Sequence, residues 1–179
     1  MSPVVVLVGP PGAGKTTIGQ LIAERLGVTL RDTDADVEAR AGKTITEIFT
    51  EDGEPAFREL ERQAVDAALA AHSGVLALGG GAIMAEQTRA VLRGHQVAFL
   101  NVGMAEGVRR TGLSTARPLL SGVNPRATFK ALLDARLPLY REVATIEVDT
   151  NANDPELAAV QVLAALGVTI DEPSPTPRT

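Results

Sequence analysis

At 179 residues, 45% hydrophobic and 22% charged, the chain has the balance of one ordinary globular domain long enough to bury its own core. It has no cysteine, which excludes disulfides and thiolate chemistry. A net charge of −5 with four phenylalanines, one tyrosine and no tryptophan argues against a nucleic-acid partner, which would favour a basic field and a stacking platform.

The first apolar run, Val4–Val8, is a strand by its β-branched density. It is far too short to cross a bilayer, lacks the basic flank and cleavage site of a leader, and implies a cytoplasmic protein without a membrane partner. Lys15–Leu26 follows as a helix with Ile18, Leu21, Ile22 and Leu26 on one stripe. A short strand at Val28–Leu30 runs into Asp32, and Thr44–Glu47 has the form of a capping box opening a helix. Gly53 interrupts, and Glu54–Ala71 continues with Phe57, Leu60, Ala64 and Ala68 inward. Further strands are expected at Val75–Leu78, Gln96–Val102 and Ala144–Val148, with helices near Ala85–Leu92, Ala105–Arg110, Pro125–Leu137 and Pro155–Leu166. Alternation of this kind predicts βαβ units, and hence an α/β fold with a five-stranded parallel sheet between two helical layers. Residues 1–170 form the expected domain, and the proline-rich ending 171–179 reads as a disordered tail.

In such sheets ligands bind beyond the carboxyl ends of the strands. Gly9-Pro-Pro-Gly-Ala-Gly-Lys15-Thr16 matches the phosphate loop and lies between a strand and a helix, as that mechanism requires. Backbone N–H groups of Gly12, Ala13, Gly14 and the following Thr17 would cradle the phosphates of ATP at the helix N-terminus. Lys15 would bridge the β- and γ-phosphates, and the Thr16 hydroxyl would meet Mg²⁺. The third strand ends without a carboxylate, so the metal must look to Asp32-Thr33-Asp34. Asp32 could hold a metal-bound water while Asp34 points at the acceptor; alternatively, one of the two caps the helix near Ala35. Gly79-Gly80-Gly81 should emerge beside the phosphate loop and let backbone approach a small polar acceptor. Residues 112–124 read as a lid, with Arg117 delivering positive charge to the transferring phosphoryl group.

Of 17 basic residues 14 are arginines, and the guanidinium fork suits bidentate capture of carboxylate or phosphate. Arg58 turns away from the inward stripe of its helix, with Glu61 one turn on and able to orient it. Arg136 sits in RLPLYREVAT, ahead of the last strand.

These pieces together resemble the shikimate kinase family, through GPPGAGKT, DTD at 32–34, FR at 57–58, GGG at 79–81, RPLL at 117–120 and RLPLYREVA at 136–144. The resemblance runs to about Pro155 and implies a P-loop kinase fold with a mobile lid. It also implies transfer of the γ-phosphoryl of ATP to the 3-hydroxyl of shikimate, with Mg²⁺ as cofactor. Nothing in the sequence asks for a stable dimer, so a monomer is expected. In that family's terms Asp34 binds the acceptor hydroxyls and takes the proton, Arg58 and Arg136 clamp the carboxylate, and Gly79, Gly80 and Gly81 contact the ring. Arg117 is the lid arginine, and Arg110 and Asn153 lie near the adenine. Two rivals stay open from the residues alone. One is a P-loop kinase for gluconate or a nucleoside monophosphate, and the other is a nucleotide switch without phosphotransfer.

Overall fold

Every strand of the sheet is short, and the central ones are apolar along their whole length, because helices cover both faces. The computed structural model describes residues 2–111, 124–151 and 154–169. The strands are β1 (Val5–Val8), β2 (Leu30–Asp32), β3 (Val75–Ala77), β4 (Val97–Asn101) and β5 (Ile146–Asp149). They pair in parallel in the order β2-β3-β1-β4-β5. The helices are α1 (Lys15–Leu26), α2 (Thr33–Ala41), α3 (Ile45–Glu51), α4 (Glu54–Ala71), α5 (Glu86–Leu92), α6 (Met104–Thr111), α7 (Pro125–Val143) and α8 (Pro155–Ala165).

Side chains alternate across the sheet with period two. Val5 and Leu7 join Ile18 and Ile22 of α1 and Val162 of α8 on one face. Val6 and Val8 join Val65 of α4, Leu92 of α5 and Tyr140 of α7 on the other. Three layers result. Beyond the sheet, Val37, Ile48, Phe57 and Ala64 tie α2, α3 and α4 into a smaller core of their own, which forms one wall of the cleft described below. No described helix is long and apolar enough to cross a membrane.

Several boundaries differ from the expectation: β2 is Leu30–Asp32 and not Val28–Leu30, and β5 begins at Ile146 and not Ala144. Helix α2 starts at Thr33, not near Ala35, because the Asp32 carboxylate accepts from the Asp34 N–H at 2.9 Å and caps it. Helix α7 continues past Leu137 through Pro138 to Val143. Proline removes one backbone bond there, but Leu137, Leu139, Tyr140 and Val143 all pack on the core, and that burial outweighs the local penalty. The expected lid and tail, 112–124 and 171–179, fall almost wholly outside the described residues; only Asn124, the N-cap of α7, is described.

Candidate active site

The chain crosses from β1 to β2 and β3 on one side and then to β4 on the other, so the carboxyl end of β1 is the point where a crevice opens. A cleft of about 440 Å³ lies there, walled by the phosphate loop, Asp34, Arg58, Gly80–Gly81 and Arg136. Gly12 and Gly14 stand at φ 80° and φ 90°, a left-handed conformation that other residues rarely adopt, and this curls the loop ahead of α1. Lys15 leans back over the loop, its Nζ donating to the carbonyls of Gly9 at 2.7 Å and Pro10 at 3.1 Å. Thr16, Thr17 and Asp32 border the same cleft. The Asp32 oxygen that caps α2 is Oδ1, so the cap does not use Oδ2; a hydroxyl and a carboxylate are donors that would suit a hard divalent ion.

None of Gly79, Gly80 and Gly81 has a positive φ, so turn geometry is not what requires them. Clearance is. A Cβ on Gly79 would sit 2.5 Å from Asp34 Oδ1 and 2.8 Å from Glu61 Oε2. On Gly81 it would sit 2.5 Å from Arg58 Nη1, whereas on Gly80 it would meet Pro11 Cδ at 3.3 Å and the Gly9 carbonyl at 3.4 Å, with Arg136 Nη1 in ordinary contact at 3.5 Å. The triple glycine thus lets one carboxylate pair and two arginines converge on bare backbone.

Arg58 is held by Glu61 at 2.8 Å and Glu54 at 3.3 Å, with its guanidinium 5.2 Å from the Phe57 ring centroid. Glu61 is buried, and burial raises its pKa against the opposing pull of Arg58 and Arg136. Arg136 is 2% exposed, and its Nε has no hydrogen-bond partner among the described residues. A buried guanidinium with an idle N–H is costly unless an anion completes it. Burial, then the neighbouring charges of Asp32 and Glu61, push the Asp34 carboxyl up to about 6, with Lys15 pulling the other way.

Arg110 ties α6 to the phosphate loop and to the end of β5. Its guanidinium donates to the Gly12 carbonyl at 3.3 Å and to Thr150 Oγ1 at 3.1 Å, and its Nε pairs with Glu106 at 2.7 Å. Beside it lies a recess bordered by Gly14, Ile18, Thr150, Asp154 and Pro155. Arg117 and Asn153 lie outside the described residues.

The profile of the family described as shikimate kinase matches residues 11–167. The chain belongs to the shikimate kinase family. It is 70% identical over 156 residues to the shikimate kinase of Saccharopolyspora erythraea, covering 87% of this chain and 89% of the relative. It is 62% identical to that of Salinispora arenicola over 166 residues, 93% of this chain and 99% of the relative. Among solved structures, the shikimate kinase from Acinetobacter baumannii in complex with shikimate matches with a TM-score of 0.87, 38% identity and 91% coverage of both chains. Shikimate kinases are P-loop proteins, and the sheet order and the loop between β1 and α1 agree with that fold.

Three functional contributions escaped the sequence reading. Tyr140 donates its hydroxyl to the Gly80 carbonyl, Thr33 accepts from the Gly79 N–H at 3.3 Å, and Thr150 anchors Arg110. The RLPLY string was in view, but nothing in a sequence says which backbone atom a tyrosine 60 residues downstream will reach.

Proposed function

We propose that the cleft binds shikimate between Arg58, Arg136 and Gly79–Gly81, and that Asp34 receives the proton when its 3-hydroxyl attacks the γ-phosphorus of ATP. The bond from γ-phosphorus to the β,γ-bridging oxygen breaks, and the products are ADP and 3-phosphoshikimate. The observation that carries this reading is the convergence of Asp34, Arg58 and the buried, incompletely paired Arg136 on the triple glycine beside the phosphate loop. Two guanidinium groups suit a carboxylate, and a carboxyl at about 6 is a base that works at neutral pH. Phosphoryl transfer through a loose transition state needs positioning and charge neutralisation more than a strong base.

Gly12 to Thr17 would cradle the phosphates, with Lys15 swinging from the loop carbonyls to the γ-phosphate. Arg110 and the 151–155 segment with Asn153 would border the adenine, and Arg117 would close from the lid. Thr16 and Asp32 would hold Mg²⁺, which neutralises charge on the β- and γ-oxygens when bound. We read the enzyme as one domain over 1–170, cytoplasmic and monomeric.

The decisive assay is ADP release from ATP and Mg²⁺ with shikimate, gluconate and nucleoside monophosphates offered separately. Turnover with shikimate alone is expected; turnover with another acceptor, or release indifferent to all, overturns the assignment. In the same assay Arg58→Ala and Arg136→Ala should raise the shikimate KM by ~10²-fold or more, as expected for an unpaired buried charge partner, while ATP affinity stays near the parent value.

A further inference from the structure

The turn after β3 is a flexible sequence held in one shape, and most of its restraints are visible. Gly79 N–H donates to Thr33 Oγ1 at 3.3 Å. The Gly79 carbonyl accepts from Ala82 N–H and the Gly81 carbonyl from Met84 N–H, both at 3.1 Å. The Gly80 carbonyl accepts from the Tyr140 hydroxyl. Glycine imposes little torsional preference of its own, so the peptide joining Gly80 to Gly81 would rotate readily without that last bond.

Tyr140 is built to supply it. The side chain is fully buried, and its ring stacks on Phe99 of β4 with centroids 4.9 Å apart and 18° between planes. Burial pushes its hydroxyl up to about 12, so it stays a proton donor at any working pH. Arg136 precedes it by one helical turn on α7, so a single helix delivers a hydroxyl and a cation to the same glycine. In a planar trans peptide the carbonyl and the next N–H point in opposite directions. With the Gly80 carbonyl drawn toward the core by Tyr140, the Gly81 N–H is turned to the cleft side. Among the described residues it donates to no protein group.

We propose that Tyr140 is a positioning residue for the acceptor: its bond to the Gly80 carbonyl orients the Gly80–Gly81 peptide so that the Gly81 N–H donates to a ring hydroxyl of the bound substrate. This rests on the reading of the cleft as the shikimate site.

Tyr140→Phe keeps the ring stacked on Phe99 and removes only the hydroxyl, which also accepts a hydrogen bond from the Arg136 side chain, so the deoxy analogues below separate a loss at the glycine from a loss at that cation. The shikimate KM should rise about tenfold, the loss of one oriented hydrogen bond, with kcat and the ATP KM within about twofold. Deoxy analogues of shikimate extend the test. The one lacking the contacted hydroxyl should bind wild type more weakly but Tyr140→Phe almost unchanged from shikimate itself. An unchanged KM, or strictly additive effects of the substitution and the missing hydroxyl, overturns the proposal. If the variant fails to fold, the wild-type chain answers instead, because it contains one tyrosine. Labelled with 3-fluorotyrosine, its fluorine resonance should shift on adding shikimate and hold still on adding ADP; insensitivity to shikimate sinks the idea. Normal shikimate turnover with a null effect at Tyr140 removes only this role, whereas absence of shikimate turnover removes the reading beneath it.

Discussion

Asp34 shows what a buried carboxylate costs a fold. Its carboxyl is raised from 3.8 to about 6 in the folded protein, first by burial and then by Asp32 and Glu61. Between those values the folded state binds more protons than the unfolded one, so stability falls as pH rises through the window. The full effect is roughly 3 kcal/mol, at about 1.4 per pK unit. Asp34→Asn removes the charge while keeping the shape. It should raise the melting temperature at pH 7.5 by several degrees and lower kcat by ~10²- to 10⁴-fold, the usual worth of a positioned base. The wild-type kcat/KM for shikimate should fall with unit slope below about pH 6, where Asp34 becomes protonated. A flat profile down to pH 5, or a variant that is both active and no more stable, would count against Asp34 as the proton acceptor. The aspartate pair was plain in the sequence, and so was the alternative that one caps a helix. The structure shows that Asp32 does cap α2, and the cap does not use its other oxygen.

Among the elements, the glycines divide by what they stand against. Cβ atoms on Gly79 and Gly81 would collide with the ends of the Asp34, Glu61 and Arg58 side chains, which line the cleft and can shift into it. Gly79→Ala and Gly81→Ala should therefore keep nearly wild-type melting temperatures and lose acceptor binding, read as a raised shikimate KM. Gly107 of α6 differs: its Cβ would lie 2.2 Å from the ring of Phe129, which is 1% exposed. That ring has nowhere to go, so Gly107→Ala should cost about 1–3 kcal/mol of stability despite alanine's better helix propensity. Equal melting temperatures for all three would refute the distinction. Helix and strand periodicity made the five strands and the long helices legible, and the capping box at Thr44 and Glu47 is present with both its bonds. Local pattern failed where distant packing decided: Pro138 inside α7, and the hydroxyl of Tyr140 on Gly80. The glycines were recognised as an open floor, but which side chains fill that space depends on α2, α4 and α7 arriving together.

At the scale of the whole molecule, four separate stretches of chain wall the proposed acceptor site: the start of α2, the start of α4, the turn after β3 and the second half of α7. They are brought together because β3 lies between β2 and β1. That same arrangement governs assembly. Among the described residues β1 pairs only with β3 and β4, and β2 only with β3, so none of these pairs can form until residue 75 is available. A ribosome releases the chain from its N-terminus, and the strand that ends as the centre of the sheet therefore waits, hydrophobic on both faces, for some 70 residues of later sequence. A fragment of residues 1–72 should show no protected β1 amides in hydrogen exchange, and protection in that fragment would show that α1 alone shelters the strand. The phosphate loop is thus translated well ahead of the strand that fixes β1 beside it, and through that stretch of growth Val5–Val8 has no sheet partner to shelter it.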